Sequence, residues 1–170
     1  MQIGQNCLMA TRSPKPLTPA ERHARRARVA RIARGLGFVG HIEYRHVYSQ
    51  TGGAQYGRSS AADEDLLTVY ADAFERDADP EDFSLEAIVA HECGHQILAR
   101  HPRIAKRVAR VSEASEEILA SLLGAMICND DTERVSLFAK AAAELLECGQ
   151  TAEAANRQLQ ELWNLLEALL

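Results

Sequence analysis

The stretch "AHECGHQ", residues 90–96, places two histidines four positions apart, with a glutamate directly after the first. Positions i and i+4 of an α-helix lie on one face, about 40° apart around the axis, so His91 and His95 can direct two imidazoles at one point. Glu92 is rotated by about 100° and lies beside that point. In this HExxH pattern the histidines bind zinc. The stretch therefore predicts a zinc-bound water that Glu92 deprotonates, and a proton that Glu92 later passes to a leaving amine.

The sequence around the motif predicts that it lies within one helix. Asp82 or Ser84 can cap the helix start, and His101-Pro102 interrupts the helix after residue 100. On this helix Cys93 and Gly94 should point away from the zinc, into the core that supports the helix.

A catalytic zinc ion typically takes three protein ligands and leaves one position for water, so a third ligand is needed. The chain offers three glutamates after the motif helix, Glu113, Glu116 and Glu117. Ala120 and Gly124 share a helix face with Glu117, and small residues would let this second helix approach the first closely. We favour Glu117 as the third ligand of one zinc ion per chain, with Glu116 and Glu113 as alternatives.

The combination of "HECGH" with the later "EEILASLLGAMI", residues 116–127, resembles the gluzincin pattern. In those families a glutamate on a following helix completes the HExxH zinc site, with Ala at +3, an acidic or amide residue at +4 and a small residue near +7. Ala120 and Gly124 match this pattern after Glu117, whereas Ser121 stands where Asp or Asn is usual. A serine in that place would bond to a zinc-binding histidine less strongly.

The chain's length and its order of helices and strands are most similar to the ImmA/IrrE family of small gluzincins. The resemblance implies a zinc endopeptidase that cleaves a regulatory protein such as a helix-turn-helix repressor, and so controls transcription of mobile-element, stress or phage-defence genes. It also implies that an edge strand ahead of the motif helix pairs with an extended substrate, a role we expect for "LLTVYADAF", residues 66–74. The alternative is a non-catalytic, zinc-stabilised protein-interaction module, which leaves Glu92 unexplained.

Hydrolysis at such a site also calls for a group that stabilises the developing oxyanion. Tyr56, Tyr70, His46 and His101 are candidates, and the sequence does not choose among them. Cys7 lies far from the other cysteines, and its thiolate is a candidate latent zinc ligand that would keep the enzyme inactive.

The fold predicted from these patterns is α+β: a zincin-like domain with a small β-sheet, the HExxH helix and a helical C-terminal layer. Residues 1–17 read as an irregular arm and residues 18–170 as the single domain, with the helical layer from about 131 to 170. The sequence predicts helices at 18–34, 84–100, 115–128, 131–147 and from 151 onward. It predicts strands at 38–49 and 65–74, with a glycine-rich connection at 51–60 between them.

Charge is distributed unevenly along the chain. Residues 1–35 hold eight Lys or Arg against one acid, whereas residues 63–86 hold ten acids against one Arg. The Arg-rich helix at 21–34 should pair with the acidic segment, and nucleic acid would bind to it only as a regulator. The sequence has no run of apolar residues long enough for a membrane span and no secretory-type apolar region, which predicts a cytoplasmic protein.

Overall fold

The computed structural model describes residues 13–49, 52–59, 63–76, 83–110 and 112–170. The described residues form seven helices and three strands, so the fold is mixed α+β as predicted. In chain order they are α1 (Pro19–Gly35), β1 (His41–Arg45), β2 (Ala54–Ser59), β3 (Glu64–Tyr70), α2 (Asp72–Arg76), α3 (Leu85–Arg100), α4 (Pro102–Val108), α5 (Glu116–Ile127), α6 (Asp131–Glu147) and α7 (Ala152–Glu167).

Helix α1 begins with a capping box at Thr18, where the predicted helix begins. The Thr18 hydroxyl accepts a hydrogen bond from the Glu21 backbone N–H at 3.2 Å, and the Glu21 carboxylate accepts one from the Thr18 N–H at 2.7 Å. Farther along the helix, the Arg28 guanidinium lies 3.3 Å from the Glu86 carboxylate. The expected pairing between the basic helix and the acidic segment is therefore confirmed for this arginine.

The three strands form one mixed sheet in the order β1-β3-β2. Strand β1 is parallel to β3, with His41 opposite Leu66, and β2 is antiparallel to β3, with Ala54 opposite Val69. Strand β3 is therefore the central strand, and the expectation that residues 66–74 form an edge strand is wrong. Both edges of β3 are already paired, and the last part of that stretch belongs to helix α2.

Strand β2 lies inside residues 51–60, which we expected to be an irregular connection. Gly52 and Gly53 have φ angles of 109° and 95°, a conformation that side chains disfavour, and they turn the chain into the strand. The strand was missed because Gln55, Gly57 and Arg58 carry no apolar alternation. At the edge of a sheet, pairing with β3 decides the conformation more than side-chain propensity does.

Helix α3 is buried along most of its length between two layers. One side packs on the sheet and α1, where Cys93 joins a core cluster with Leu67, Val69 and Val89. The other side packs on α5. Cys93 faces away from the histidines as expected.

The two helices α3 and α5 approach each other through glycines. A Cβ added to Gly94 would lie 2.1 Å from the Ala120 carbonyl oxygen, and one added to Gly124 would lie 2.7 Å from that of Ala90. The small residues on α5 therefore serve the predicted close approach. The expectation for Gly94 is corrected: it contacts α5, since it shares a helix face with His91.

Helices α6 and α7 complete the C-terminal layer. Along α7, Ala155, Leu159, Leu162 and Leu166 are buried in one cluster with residues of α5 and α6, so this apolar seam packs on its own chain. Among the described residues, no helix combines the length and apolar character needed to cross a bilayer.

Candidate metal centre

Three potential ligands converge between α3 and α5: His91, His95 and Glu117. Their ligand atoms all lie within 4.8 Å of one another. The Nε2 atom of His91 is 3.0 Å from one oxygen of the Glu117 carboxylate, and the Nε2 atom of His95 is 3.3 Å from the other. This group could hold a metal ion.

The donor set and spacing fit a small tetrahedral ion. Zinc lies about 2.0–2.1 Å from nitrogen and oxygen ligands, which places two ligand atoms roughly 3.3 Å apart in a tetrahedron. The Nε2 atom of each histidine lies close to that distance from one oxygen of the Glu117 carboxylate, a different oxygen for each histidine, and the three ligand atoms lie within 4.8 Å of one another. Two imidazoles and one carboxylate are also a ligand set typical of catalytic zinc, with one position left for water.

The second nitrogen of each histidine also has a partner. His91 Nδ1 lies 3.1 Å from the hydroxyl of Ser121, which is fully buried, and His95 Nδ1 lies 3.0 Å from the Glu116 carboxylate. If each Nδ1 carries the proton and donates to these oxygens, both Nε2 lone pairs remain available to a metal. Ser121 thus reaches the histidine despite its departure from the gluzincin pattern.

The alternative third ligands occupy different places. Glu116 approaches His95 from the nitrogen that faces away from the convergence point, so it is placed to orient the ring. Glu113 is exposed and does not line the cleft that contains the histidines. Among the three glutamates, the structure brings Glu117 to the position predicted for a ligand.

His91 is held in its neutral form. Burial lowers the pKa of His91 to about 4, and the Lys140 ammonium and His95 act in the same direction, although Glu117 opposes them. A neutral imidazole is the form that binds metal, so His91 needs no deprotonation near pH 7.

Glu92 lies beside the three candidate ligands and is 9% exposed. Burial raises the pKa of the Glu92 carboxyl, against the opposing effects of His95 and the Tyr56 backbone N–H. A general base works best when its pKa is close to the working pH, so this shift suits Glu92 to accept and return a proton.

Strand β2 holds Glu92 in place through its backbone. The Tyr56 N–H donates to the Glu92 carboxylate at 2.6 Å. The Gly53 carbonyl faces β3, because it accepts a hydrogen bond from the Tyr70 N–H at 2.8 Å. The backbone groups of successive strand residues alternate between the two sides, so those of Tyr56, three residues after Gly53, face the opposite side. The N–H of Tyr56 therefore points away from β3, to the open edge of the sheet beside Glu92.

A cleft of about 430 Å³ contains these residues. One part of its wall is polar, with His91, Glu92, His95, Glu116 and Glu117. The other part is mainly apolar and is formed by Ala54, Phe83, Ala87, Ile88 and Leu137. The cleft can thus accommodate a polar reacting group next to an apolar side chain.

The oxyanion candidates are placed as follows. Tyr56 lines the cleft, but its hydroxyl donates to Asp65 at 2.8 Å, and burial together with that bond raises the pKa of Tyr56 to about 12. Tyr70 and His101 do not line the cleft. Both ring nitrogens of His46 are hydrogen-bonded, one to the Tyr44 hydroxyl and the other to the Lys15 carbonyl.

One cleft residue, Lys140 on α6, was missed by the sequence reasoning. Its ammonium lies 3.6 Å from the Glu117 carboxylate and 3.1 Å from that of Glu144. It follows the buried Leu137 by one helical turn, so a helical wheel places it at the border of the buried face. Nothing in the sequence connects that border with the histidines of α3.

Cys7 lies outside the described residues, and its predicted role as a latent ligand stays a prediction. Cys93, Cys128 and Cys148 are free thiols. Burial raises the pKa of Cys93 to about 12, so this thiol is not poised for reaction beside the motif.

Comparison with known proteins returns no relative. No protein-family model matches the chain, and neither a curated protein nor a solved structure matches it.

Proposed function

We propose that this protein is a zinc-dependent endopeptidase with a zincin-like domain. The observation that carries the proposal is the convergence of His91, His95 and Glu117 beside the buried carboxylate of Glu92. A metal site alone does not call for Glu92. A buried carboxylate next to three metal ligands is costly for folding, and its presence is explained by acid–base chemistry at that point.

His91, His95 and Glu117 would hold the zinc ion. When bound, zinc supplies a Lewis acid that polarises a substrate carbonyl and makes a nearby water more acidic. Ser121 and Glu116 would keep the two imidazoles in the tautomer and orientation that this role requires.

Glu92 would carry the proton through the reaction. It accepts a proton from the attacking water while the water oxygen bonds to the carbonyl carbon of the substrate. It then returns that proton to the amide nitrogen as the C–N bond breaks. The hydrogen bond from the Tyr56 N–H fixes one carboxylate oxygen and leaves the other for this transfer.

The substrate would bind as an extended peptide along the edge of β2 that no described strand occupies, through backbone groups other than the Tyr56 N–H, which is bonded to Glu92. This strand takes the place of residues 66–74 in the expectation drawn from the resemblance, because it is the edge strand beside Glu92. Main-chain hydrogen bonds give such binding little sequence preference, while the apolar wall of the cleft would favour an apolar side chain. A regulatory protein such as a helix-turn-helix repressor is the substrate class that the ImmA/IrrE resemblance implies.

The test uses the zinc-loaded protein and two substrates: a repressor encoded by a neighbouring gene, and a proteome-derived peptide library read by mass spectrometry. We expect new peptide termini from the wild-type protein, and none from a His95→Ala variant or after EDTA treatment. Zinc binding without cleavage of either substrate would instead favour the non-catalytic interaction module.

A further inference from the structure

We propose that Lys140 is the catalytic residue that stabilises the anionic oxygen formed when a peptide carbonyl is attacked in this cleft. The proposal rests on the proposed function and adds a residue to it. The candidates predicted from the sequence were tyrosines and histidines. Those with a described hydrogen bond, Tyr56 and His46, already use their polar groups, and Tyr70 and His101 do not line the cleft.

Lys140 is the one lysine or arginine among the described residues that line the cleft. The other ionisable groups there are three carboxylates, two imidazoles and the Tyr56 hydroxyl, which is bonded to Asp65. A bound zinc ion would balance the charges of Glu116 and Glu117 while Glu92 holds the proton from the water. The Lys140 ammonium is therefore the further positive group that this cleft offers to a developing oxyanion.

The ammonium also lies at the right place. It is 3.6 Å from the Glu117 oxygen that lies 3.0 Å from His91 Nε2, so it borders the point where the three candidate ligands converge. The side chain is 28% exposed, which leaves its charge only partly screened by water. A carbonyl oxygen brought to that point would come within reach of the ammonium.

Lys140 retains hydrogen-bonding capacity for a substrate. An ammonium has three N–H donors. The Glu144 carboxylate accepts a hydrogen bond from one of them at 3.1 Å, whereas the Glu117 carboxylate, at 3.6 Å, forms an ion pair without a hydrogen bond. Glu144 also accepts a hydrogen bond from the Ser115 hydroxyl at 3.3 Å, which ties the Lys140–Glu144 pair to the start of α5. The lysine is therefore held at the cleft by an anchored partner.

Lys140 keeps its charge throughout the proposed reaction. The water oxygen forms a bond to the carbonyl carbon, its proton passes to Glu92, and the π-electron pair moves to the carbonyl oxygen. That oxygen accepts a hydrogen bond from Lys140. When the electron pair returns, the C–N bond breaks and Glu92 delivers its proton to the nitrogen, while Lys140 keeps all of its protons.

The test is a binding measurement on the full chain loaded with Co²⁺, whose visible spectrum reports on its ligands. The probe is a phosphonamidate tripeptide, which carries anionic oxygens where the attacked carbonyl would form its tetrahedral intermediate. Lys140→Met removes the charge and keeps most of the stem, and Lys140→Arg restores the charge. Lys106→Met is the matched control, because Lys106 is exposed on α4 and does not line the cleft.

We expect Lys140→Met to bind the phosphonamidate at least about tenfold more weakly, with Co²⁺ affinity within about threefold of wild type. Lys140→Arg should recover most of the loss, and Lys106→Met should behave as wild type. With a cleaved substrate, Lys140→Met should lower kcat by about 10²–10³ and leave KM nearly unchanged.

Three results would overturn the assignment. The first is a Co²⁺-loaded wild-type protein that binds the phosphonamidate no more tightly than Lys140→Met does, or that does not bind it at all. The second is a large loss of Co²⁺ affinity in Lys140→Met, which would mean that the lysine serves the ligands instead. The third is a wild-type protein that binds no Co²⁺, which would remove the proposed function as well.

Discussion

At the scale of single residues, each of the two motif histidines has an oxygen partner at both of its ring nitrogens. Each Nε2 faces Glu117, and each Nδ1 faces an oxygen from α5, that of Ser121 or of Glu116. Partners on both sides of an imidazole limit its rotation and its tautomer. The two imidazoles are therefore held in fixed orientations, as a pair of metal ligands would need to be.

Replacing Glu117 tests whether its carboxylate is the third ligand. We expect Glu117→Gln to lower zinc affinity at least about tenfold, because an amide oxygen is a neutral and weaker ligand. Glu113→Gln is the matched control, since Glu113 is exposed and lies outside the cleft. Affinity is measured by competition with a chromogenic chelator. Equal zinc affinity in the two variants would exclude Glu117 as a ligand.

Asp65 is the residue that joins the sheet to the motif helix. Its buried carboxylate, 6% exposed, accepts hydrogen bonds from Arg100 at 2.6 Å, Gln96 at 2.7 Å and Tyr56 at 2.8 Å. Burial alone would raise the pKa of Asp65, but these three donors outweigh it and hold the pKa below its ordinary value. The cluster fixes β2 and β3 against α3, and so positions Glu92.

We expect Asp65→Asn to lower the free energy of unfolding by about 2 kcal/mol at pH 7, as for the loss of a charged, buried hydrogen-bond acceptor. Because the folded-state pKa is depressed, this stabilisation is present above the unfolded pKa of about 3.9 and is lost as pH falls below it. The difference between wild type and variant, measured by urea denaturation, should therefore shrink below about pH 4.

Asp63→Asn is the control for this substitution, since Asp63 is 88% exposed and its φ of 48° suits asparagine. It should leave the free energy of unfolding nearly unchanged. A difference for Asp65→Asn that stays constant from pH 7 to pH 3 would show that the charge of Asp65 does not stabilise the fold.

At the scale of the elements, the site depends on how closely α3 and α5 approach each other. Gly94 and Gly124 place the backbone of one helix against the other, and this contact brings Glu117 to the histidines. A separation of the helices would move the carboxylate away from both imidazoles at once.

Alanine at either glycine should push the helices apart. We expect Gly94→Ala and Gly124→Ala to lower the free energy of unfolding by about 1–3 kcal/mol and to weaken zinc binding. Gly94→Ala should be the more damaging, because its Cβ would lie 2.1 Å from a carbonyl oxygen, against 2.7 Å for Gly124. Both quantities are measured on the same preparations, by denaturation and by chelator competition.

Gly35→Ala provides the comparison, because a Cβ at Gly35 meets no atom within 4 Å. It should be neutral or slightly stabilising. If Gly94→Ala and Gly124→Ala behaved like Gly35→Ala, the close approach of α3 and α5 would be wrong.

The elements also show which features the sequence could reveal. Ser84, Ser115 and Thr151 cap the starts of α3, α5 and α7, and caps of this kind are local signals that a sequence displays directly. Strand β2 and the central position of β3 were not predicted, since strand order is decided by pairing between distant segments. Lys140 was not predicted as a cleft residue for the same reason, because its position in the cleft depends on how α6 packs against α5.

At the scale of the whole molecule, the candidate metal centre lies between two parts of the core. One cluster joins the sheet, α1 and one side of α3, and another joins α5, α6 and α7. The candidate ligands come from both α3 and α5, so a bound ion would link the two parts. The α+β class, the motif helix and the helical C-terminal layer were predictable because their apolar periodicity is strong.

Metal binding should therefore stabilise the entire fold. A ligand that binds only the folded state at 100 times its Kd adds about 2.7 kcal/mol to the free energy of unfolding. For a chain of this length that corresponds to an increase in Tm of roughly 5–10 °C. Calorimetry in buffered zinc and in EDTA measures the increase, which should vanish in His95→Ala. An equal increase in that variant would locate zinc binding elsewhere.

The central claim is that Glu92 drives peptide hydrolysis at a metal site it does not help to form. The most direct test compares wild type with Glu92→Gln, each assayed for zinc content and for cleavage of the peptide library by mass spectrometry. We predict one zinc ion per chain in both proteins, and new peptide termini from the wild type alone. Cleavage by Glu92→Gln at the wild-type rate, with zinc retained, would contradict the claim.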